Sequence, residues 1–322
     1  MMKIILVGAG GMGSTHFHNY ACIPGACVQA LVGVSEADRQ AAAEWGLPLY
    51  STITEAAAQE LAEIADLCVP TFLHESLALE AFRCGLHVIT EKPCALSRAG
   101  AENMFRAARA AGRQLYVAQV VQFARETEVL RQVFQEQRYG RPLDGFFERL
   151  SARPAWSQGG WLLDRKKSGL LPFDLHIHDL DLIVSLFGRP ESVHVSASPE
   201  NQGIQDHLRI SYVFPGGVSV CGEAAWFNAC VPFTARWRVY FERGMLIFDG
   251  NAVTGYRADG QTETFDTRDT VQIAGGVNLP SNGWFFRELS HFLSCAERNI
   301  PSPLVPEEQV LAVLSVLEGL PS

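Results

Sequence analysis

At 322 residues, 48% apolar and 19% charged, the chain carries enough apolar material for two packed domains and is not of disordered composition. Its formal net charge of −9 runs against nucleic-acid binding, which needs a basic face to displace counterions from phosphates. No apolar run approaches the roughly 20 residues that span a bilayer, and eight cysteines without a C-x-x-C pair predict reduced thiols in a cytoplasmic protein.

The first third alternates short apolar runs with longer helical stretches. Lys3–Val7, Val28–Val34, Leu67–Val69, His87–Thr90 and Leu115–Val121 are predicted strands, rich in Val, Ile and Leu. Ser14–Ala21, Glu36–Trp45, Thr54–Glu63, His74–Cys84 and Ser97–Ala111 have helical composition, dense in Ala, Glu, Arg and Leu. Such alternation implies right-handed crossovers and a parallel, doubly wound sheet, an α/β Rossmann domain over residues 1–122. Beyond it the pattern changes. A helix over Arg125–Arg138, a strand over Pro142–Ser151, a Trp/Gly/Lys-rich loop from Trp156 to Ser168 and a helix over Phe173–Phe187 come first. Successive strands with tight turns follow from Ser192 to about Phe265, then helices Trp284–Glu297 and Pro306–Glu318. Residues 123–322 thus read as an α+β domain on one large, mostly antiparallel sheet.

Gly8-Ala9-Gly10-Gly11-Met12-Gly13 is G-x-G-x-x-G, placed straight after a strand and opening a helix. Gly8 permits the tight turn, Gly10 lets the backbone approach a pyrophosphate, and Gly13 allows close helix–strand packing, with the diphosphate on the helix N-terminus. An ordinary glycine turn is the bland alternative. Glu36, about 20 residues on, suits ribose hydroxyls and repels a 2′-phosphate, which favours NAD. It also suits a helix start, and Arg39 one turn later keeps NADP open.

Thr90-Glu91-Lys92-Pro93 ends the fourth strand, where ligands of open α/β sheets bind, so position aims Lys92 at the cofactor crevice, with an ordinary surface lysine as the bland alternative. Phe173–Asp181 is the densest titratable cluster in the chain. At about 100° per residue, Asp174, His178 and Asp181 share a narrow helical arc, which a solvated face would also produce. His176-Ile177-His178 resembles a zinc H-x-H, but on a helix its histidines diverge, so no metal is expected.

Together these motifs resemble the glucose–fructose oxidoreductase/inositol dehydrogenase/rhizopine catabolism (Gfo/Idh/MocA) family of sugar oxidoreductases. The resemblance runs through Val69-Pro70-Thr71-Phe72-Leu73-His74, Glu91-Lys92-Pro93, Ser168-Gly169, D-x-x-x-H and D-x-D at Asp174, His178, Asp179 and Asp181, and Asn282-Gly283-Trp284. It implies a catalytic set of Lys92, Asp174 and His178, with His178 taking a hydroxyl proton, Lys92 holding the same oxygen and Asp174 orienting His178. It implies dinucleotide contacts at Pro70, Thr71, His74, Glu91, Lys92 and Gln119 besides the glycine loop, and a Lys92-Pro93 peptide that is often cis. Substrate contacts are expected from Trp156, Trp161 and His176, within a polar, aromatic region that includes Arg153 and Lys166. The implied activity is hydride transfer between NAD(P) and a carbinol or ketone of a sugar, cyclitol or related polyhydroxy compound. A homodimer or homotetramer joined through the C-terminal sheet is also implied. Rival readings are a glycosidase that retains NAD and oxidises transiently, and a ligand-sensing relative without catalysis. Departures from the family pattern are His176 in place of a common glycine, Leu171-Pro172-Phe173 in place of small residues, Pro70-Thr71 in reversed order, and Gln122 where Arg is frequent.

Overall fold

The computed structural model describes residues 1–155, 157–271, 273 and 283–321. The chain opens with β1 (Met2–Val7), α1 (Gly11–Tyr20), β2 (Ala26–Val32), α2 (Glu36–Trp45), β3 (Leu49–Tyr50) and α3 (Ile53–Gln59). It continues with β4 (Ile64–Leu67), α4 (His74–Arg83), β5 (His87–Glu91), α5 (Arg98–Ala110) and β6 (Leu115–Ala118). These strands form a six-stranded parallel sheet in the order β3-β2-β1-β4-β5-β6. The strand order reverses between β1 and β4, so the crevice beyond their carboxyl ends is the ligand position of a doubly wound sheet. Ile4, Ile5 and Leu6, like the whole of β4, are buried, as a sheet covered by helices on both faces requires.

Several details differ from the sequence expectation, among them β6, which ends at Ala118 rather than Val121, and α3, which ends at Gln59 rather than Glu63. The two-residue β3 was not foreseen, being too short to carry a periodicity. Expected at Leu67–Val69, β4 lies at Ile64–Leu67, because the buried Asp66 interrupts the apolar pattern that would have located it. Closer to the N-terminus, β2 stops at Val32 rather than Val34, where Gly33 lets the chain turn over Asp38.

The remainder comprises α6 (Arg125–Gln135), β7 (Pro142–Ala152), α7 (Arg165–Ser168) and α8 (Ile177–Phe187), then β8 (Ser192–Ala197), β9 (His207–Val213) and β10 (Ser219–Phe227). Then come β11 (Thr234–Phe241), β12 (Gly244–Phe248), β13 (Val253–Arg257), β14 (Thr262–Phe265), α9 (Trp284–Glu297) and α10 (Glu307–Leu317). The eight-stranded sheet runs β14-β13-β12-β11-β7-β10-β9-β8, antiparallel except for the β7–β10 pair. Alternation is strict on β11, with Trp237, Val239 and Phe241 buried and Arg236, Arg238 and Tyr240 exposed. Helix α8 packs against β7 and β10 of this sheet.

By packing, the chain forms two units: Met1–Phe123 with Asp269–Val310, and Ala124–Arg268 with Leu311–Ser322. The expected division carried the second domain unbroken from 123 to 322. Instead, 269–310 belongs to the first unit, because α9 carries an aromatic stripe that needs a partner there. Its Phe285 ring lies 5.8 Å from that of His16, and Phe292 stacks on Tyr116 at 5.3 Å. Such a return is a non-local contact that sequence periodicity does not encode.

Candidate active site

In the first unit the glycine loop has the geometry that a dinucleotide demands. Gly8 takes φ of +87°, and a Cβ there would fall 2.7 Å from the Cys68 carbonyl oxygen. A Cβ on Gly13 would lie 2.0 Å from the Gly8 carbonyl oxygen, so only glycine lets α1 pack this closely. At Gly10, by contrast, a Cβ would meet nothing within 4 Å. Gly10 is also the N-cap of α1, has no side-chain cap, and precedes a first turn without acidic residues. The amides of Gly11 and Met12 in that first turn are therefore available to an anion. At the end of β6, Gln119 is 2% exposed and its Oε1 has no hydrogen-bond partner. An open backbone cradle and an orphaned buried acceptor at strand ends fit a dinucleotide.

Several expected ligands prove to be braces. His74 is fully buried, with Nδ1 2.8 Å from the Pro93 carbonyl oxygen and Nε2 2.9 Å from that of Val69. Burial lowers its pKa, and the ring ties the loop after β4 to the loop after β5 instead of offering a nitrogen to the crevice. Thr71 is buried in the short helical turn Thr71–Leu73, which Pro70 precedes. Glu91 accepts from the Lys92 amide at 3.1 Å through Oε2 and pairs through Oε1 with His16 Nε2 at 3.3 Å. Lys92 itself is partly exposed at the end of β5, and its peptide to Pro93 is cis. Glu36 is solvated: its side chain is 68% exposed and pairs with Arg39.

Sequence reasoning missed the buried network beneath this crevice. His16 Nδ1 lies 2.7 Å from Asp66 Oδ2, which also accepts from the Tyr20 hydroxyl at 2.8 Å. Burial disfavours the charged imidazole most strongly, but the Asp66 carboxylate and the Cys68 sulfur together outweigh it and raise the His16 pKa well above its ordinary value. The Cys68 thiol, 3.3 Å from the same nitrogen, is driven far up by burial and stays neutral. His16, Asp66 and Cys68 are metal-capable groups held close together, but the 2.7 Å separation is that of a proton-bridged pair. The one sequence hint was position: His16 follows Gly13 by three residues, on the helix the glycines open.

In the second unit, Asp174 and His178 sit half-buried in a run whose path is set by the local chain geometry. Ser168 Oγ accepts from the Leu170 amide at 2.9 Å, and Gly169 takes φ of +74° where a Cβ would fall 2.5 Å from the Phe173 ring. That reversal leads into a π-helical turn, Pro172–His176, in which the Ile177 amide reaches back to the Pro172 carbonyl. Such turns recur at functional positions. From Leu171 to Val184 every residue is buried except Asp174 and His178. The expected 100° arc does not hold across the wider turn, and Asp181 goes inside at 1% exposure, where its charge acts on Arg131 of α6.

His176 faces the sheet. It is fully buried, accepts from or donates to the Tyr212 hydroxyl at 2.6 Å, stacks on that ring, and covers Gly222, where a Cβ would fall 2.7 Å from its Cε1. Burial lowers its pKa to about 4, so it is a neutral packing residue. Beside it, Arg149 of β7 grips Asp179 through two bonds of 2.9 and 3.1 Å, pinning α8 to the sheet. Arg153 is committed to Asp206 at 3.0 Å and Gln202 at 2.8 Å. Trp161 is half-buried, while Trp156 and Asn282 lie outside the described residues.

Residues 2–119 match the model of an oxidoreductase family described as having an NAD-binding Rossmann fold, and residues 127–247 match a Gfo/Idh/MocA C-terminal domain. The chain belongs to the Gfo/Idh/MocA family. It is an oxidoreductase whose first domain binds NAD. D-apiose dehydrogenase of Paraburkholderia graminis is 29% identical, across 98% of this chain and 86% of its own length. The fold matches an oxidoreductase from Agrobacterium radiobacter, solved with NAD+, L-tartaric acid and magnesium, at a TM-score of 0.85 and 17% identity. That match covers 98% of this chain and 94% of the other. Aldose-aldose oxidoreductase from Caulobacter crescentus, complexed with glycerol, aligns at a TM-score of 0.84 and 21% identity over 98% and 95% of the chains. No helix among the described residues is long and apolar enough to cross a membrane.

Proposed function

We propose that this protein oxidises a carbinol of a polyhydroxylated small molecule, a sugar or cyclitol, or reduces the matching ketone, with Lys92, Asp174 and His178 acting on one substrate oxygen. The observation that carries the reading is the selective exposure of Asp174 and His178 in an otherwise buried helical run. A solvated face would leave its flanking positions open too. Names among its relatives, D-apiose dehydrogenase and aldose-aldose oxidoreductase, point to the same substrate class. The dinucleotide supplies the hydride acceptor. His178 takes the hydroxyl proton on its ring, Asp174, four residues earlier, orients that ring, and the Lys92 ammonium stabilises alkoxide character on the oxygen. The Arg149–Asp179 pair keeps α8 in register beneath them. Association into a homodimer or homotetramer through the outer face of the eight-stranded sheet belongs to the same reading.

The test is turnover across polyols, aldoses, amino sugars and uronates with cofactor reduction as readout. His178→Ala should then lose on the order of 10²–10⁴ in kcat, as removal of a general base does, with NADH affinity kept. Unchanged rates in His178→Ala, or turnover confined to simple aliphatic alcohols, refute the assignment.

A further inference from the structure

The adenosine end of a Rossmann site is read by the turn after the second strand. A carboxylate aimed at the ribose there accepts its hydroxyls and repels a 2′-phosphate, whereas a nearby arginine accommodates that phosphate. This chain has two carboxylates in that turn, and neither is free to play the first role. Asp38 is buried with both oxygens committed. Its Oδ1 accepts from the Ala9 amide of the glycine loop at 2.9 Å, and its Oδ2 accepts from the Ser35 amide at 2.8 Å and the Ser35 hydroxyl at 2.6 Å. The group is seated against Gly33, where a Cβ would fall 2.3 Å from its Cγ. It props the loop from below.

Glu36 is turned sideways onto Arg39, whose Nε lies 2.8 Å from its Oε2. Arg39 Nη1 in turn donates to the Val34 carbonyl at 3.1 Å, which anchors the guanidinium at the very end of the turn. Val34 itself, the first side chain past the strand end and Gly33, is apolar and 71% exposed. The turn therefore presents an anchored cation beside an apolar residue, with its outer carboxylate drawn onto that cation. An exposed ion pair of this kind contributes little, so exchanging its carboxylate for a phosphate costs little. A phosphate also brings more charge and a geometry that matches the guanidinium fork.

We propose that the adenosine end of this site admits a 2′-phosphate on Arg39, so that the protein binds NADP(H) as well as NAD(H), with Glu36 competing for the same guanidinium. The inference rests on the reading of the first domain as a nicotinamide-dinucleotide site. It makes Arg39 the specificity-determining residue, in place of the carboxylate that spacing alone selects.

Parallel fluorescence titrations of the full chain with NADH and NADPH decide it. Wild-type Kd values for the two should agree within about fivefold. Arg39→Ala should weaken NADPH on the order of tenfold, the loss of one charge-assisted contact, while NADH moves less than about twofold. Glu36→Gln should tighten NADPH, because the competitor loses its charge, and raised salt should weaken NADPH more than NADH. A wild-type NADPH affinity more than about thirtyfold below that of NADH overturns the proposal with the dinucleotide site intact. So does an Arg39→Ala change that shifts both cofactors equally. Failure of both cofactors to bind removes the site itself, a separate and recognisable result.

Discussion

His16 is predicted to be the residue whose loss most weakens the first unit, and the reason is electrostatic. Its imidazole is fully buried between Asp66, at 2.7 Å, and Glu91, at 3.3 Å, which are 0% and 8% exposed. Replacing it by glutamine leaves two buried carboxylates without the cation that compensates them. Removing one member of a buried pair costs about 3–5 kcal/mol. At roughly 2–4 °C per kcal/mol, a loss of that size corresponds to about 10 °C in Tm. The pH dependence carries a sign. Because the folded-state pKa of His16 is raised above its unfolded value, its stabilisation is fully present below the unfolded value and is lost as pH rises through the folded one. The gap between wild type and His16→Gln in urea denaturation should therefore be widest near pH 6 and narrow as pH climbs above neutrality. Asp66→Asn in the same background should recover part of the loss, since it removes one of the stranded charges. A His16→Gln protein within about 1 kcal/mol of wild type at pH 6, or a gap that widens with pH, would show the imidazole to be neutral and the ion-pair argument wrong.

Two glycines give sharper steric tests. Gly13→Ala places a methyl 2.0 Å from the Gly8 carbonyl oxygen, so the loop must move; NADH affinity should fall at least about tenfold, and an unchanged titration would contradict the packing role. Gly222→Ala sets a methyl 2.7 Å from the His176 ring and should destabilise the second unit by about 1–3 kcal/mol in thermal melts. Combined with His176→Ala, which opens that space, it should cost less than the two changes added separately; simple additivity would place the ring elsewhere.

What was legible in the sequence was what a few adjacent residues decide. The glycine loop is such a case, because each of its glycines answers a local demand of turn, approach or packing that spacing encodes. The parallel sheet was legible too, as buried strands with helices between them leave few topologies. Harder was the role of Asp38, which was passed over at the sequence level in favour of Glu36. Counting from the glycines selects either carboxylate, and only the fold shows that Asp38 turns inward while Glu36 turns out. A local hint did exist in Ser35-Glu36-Ala37-Asp38, whose serine and aspartate have capping-box spacing and form that box in the structure. Asp181 misled for another reason: a 100° rotation per residue predicts faces only in a regular α-helix, and the π turn at Pro172–His176 breaks the count. The return of 269–310 to the first unit was invisible because its partners, such as Tyr116 and His16, lie far away in sequence.

A common physical constraint connects these misreadings. A polar side chain that the fold buries must find partners, and near a ligand crevice the nearest partners are the strand-end loops themselves. His74, Glu91, Asp38 and Asp179 all carry chemistry suited to a ligand, yet each is consumed in bonds that hold a loop or a helix in place. Motif membership cannot separate a brace from a ligand, since a family needs both at fixed spacing. Exposure and unspent hydrogen-bonding capacity can. By that criterion the first unit offers the open backbone at Gly10 and the orphaned Gln119 oxygen, while partial exposure alone marks Lys92 there and Asp174 and His178 in the second unit. Within the first unit, that open backbone and that orphaned acceptor are what a dinucleotide requires, and the buried braces around them keep its loops preorganised.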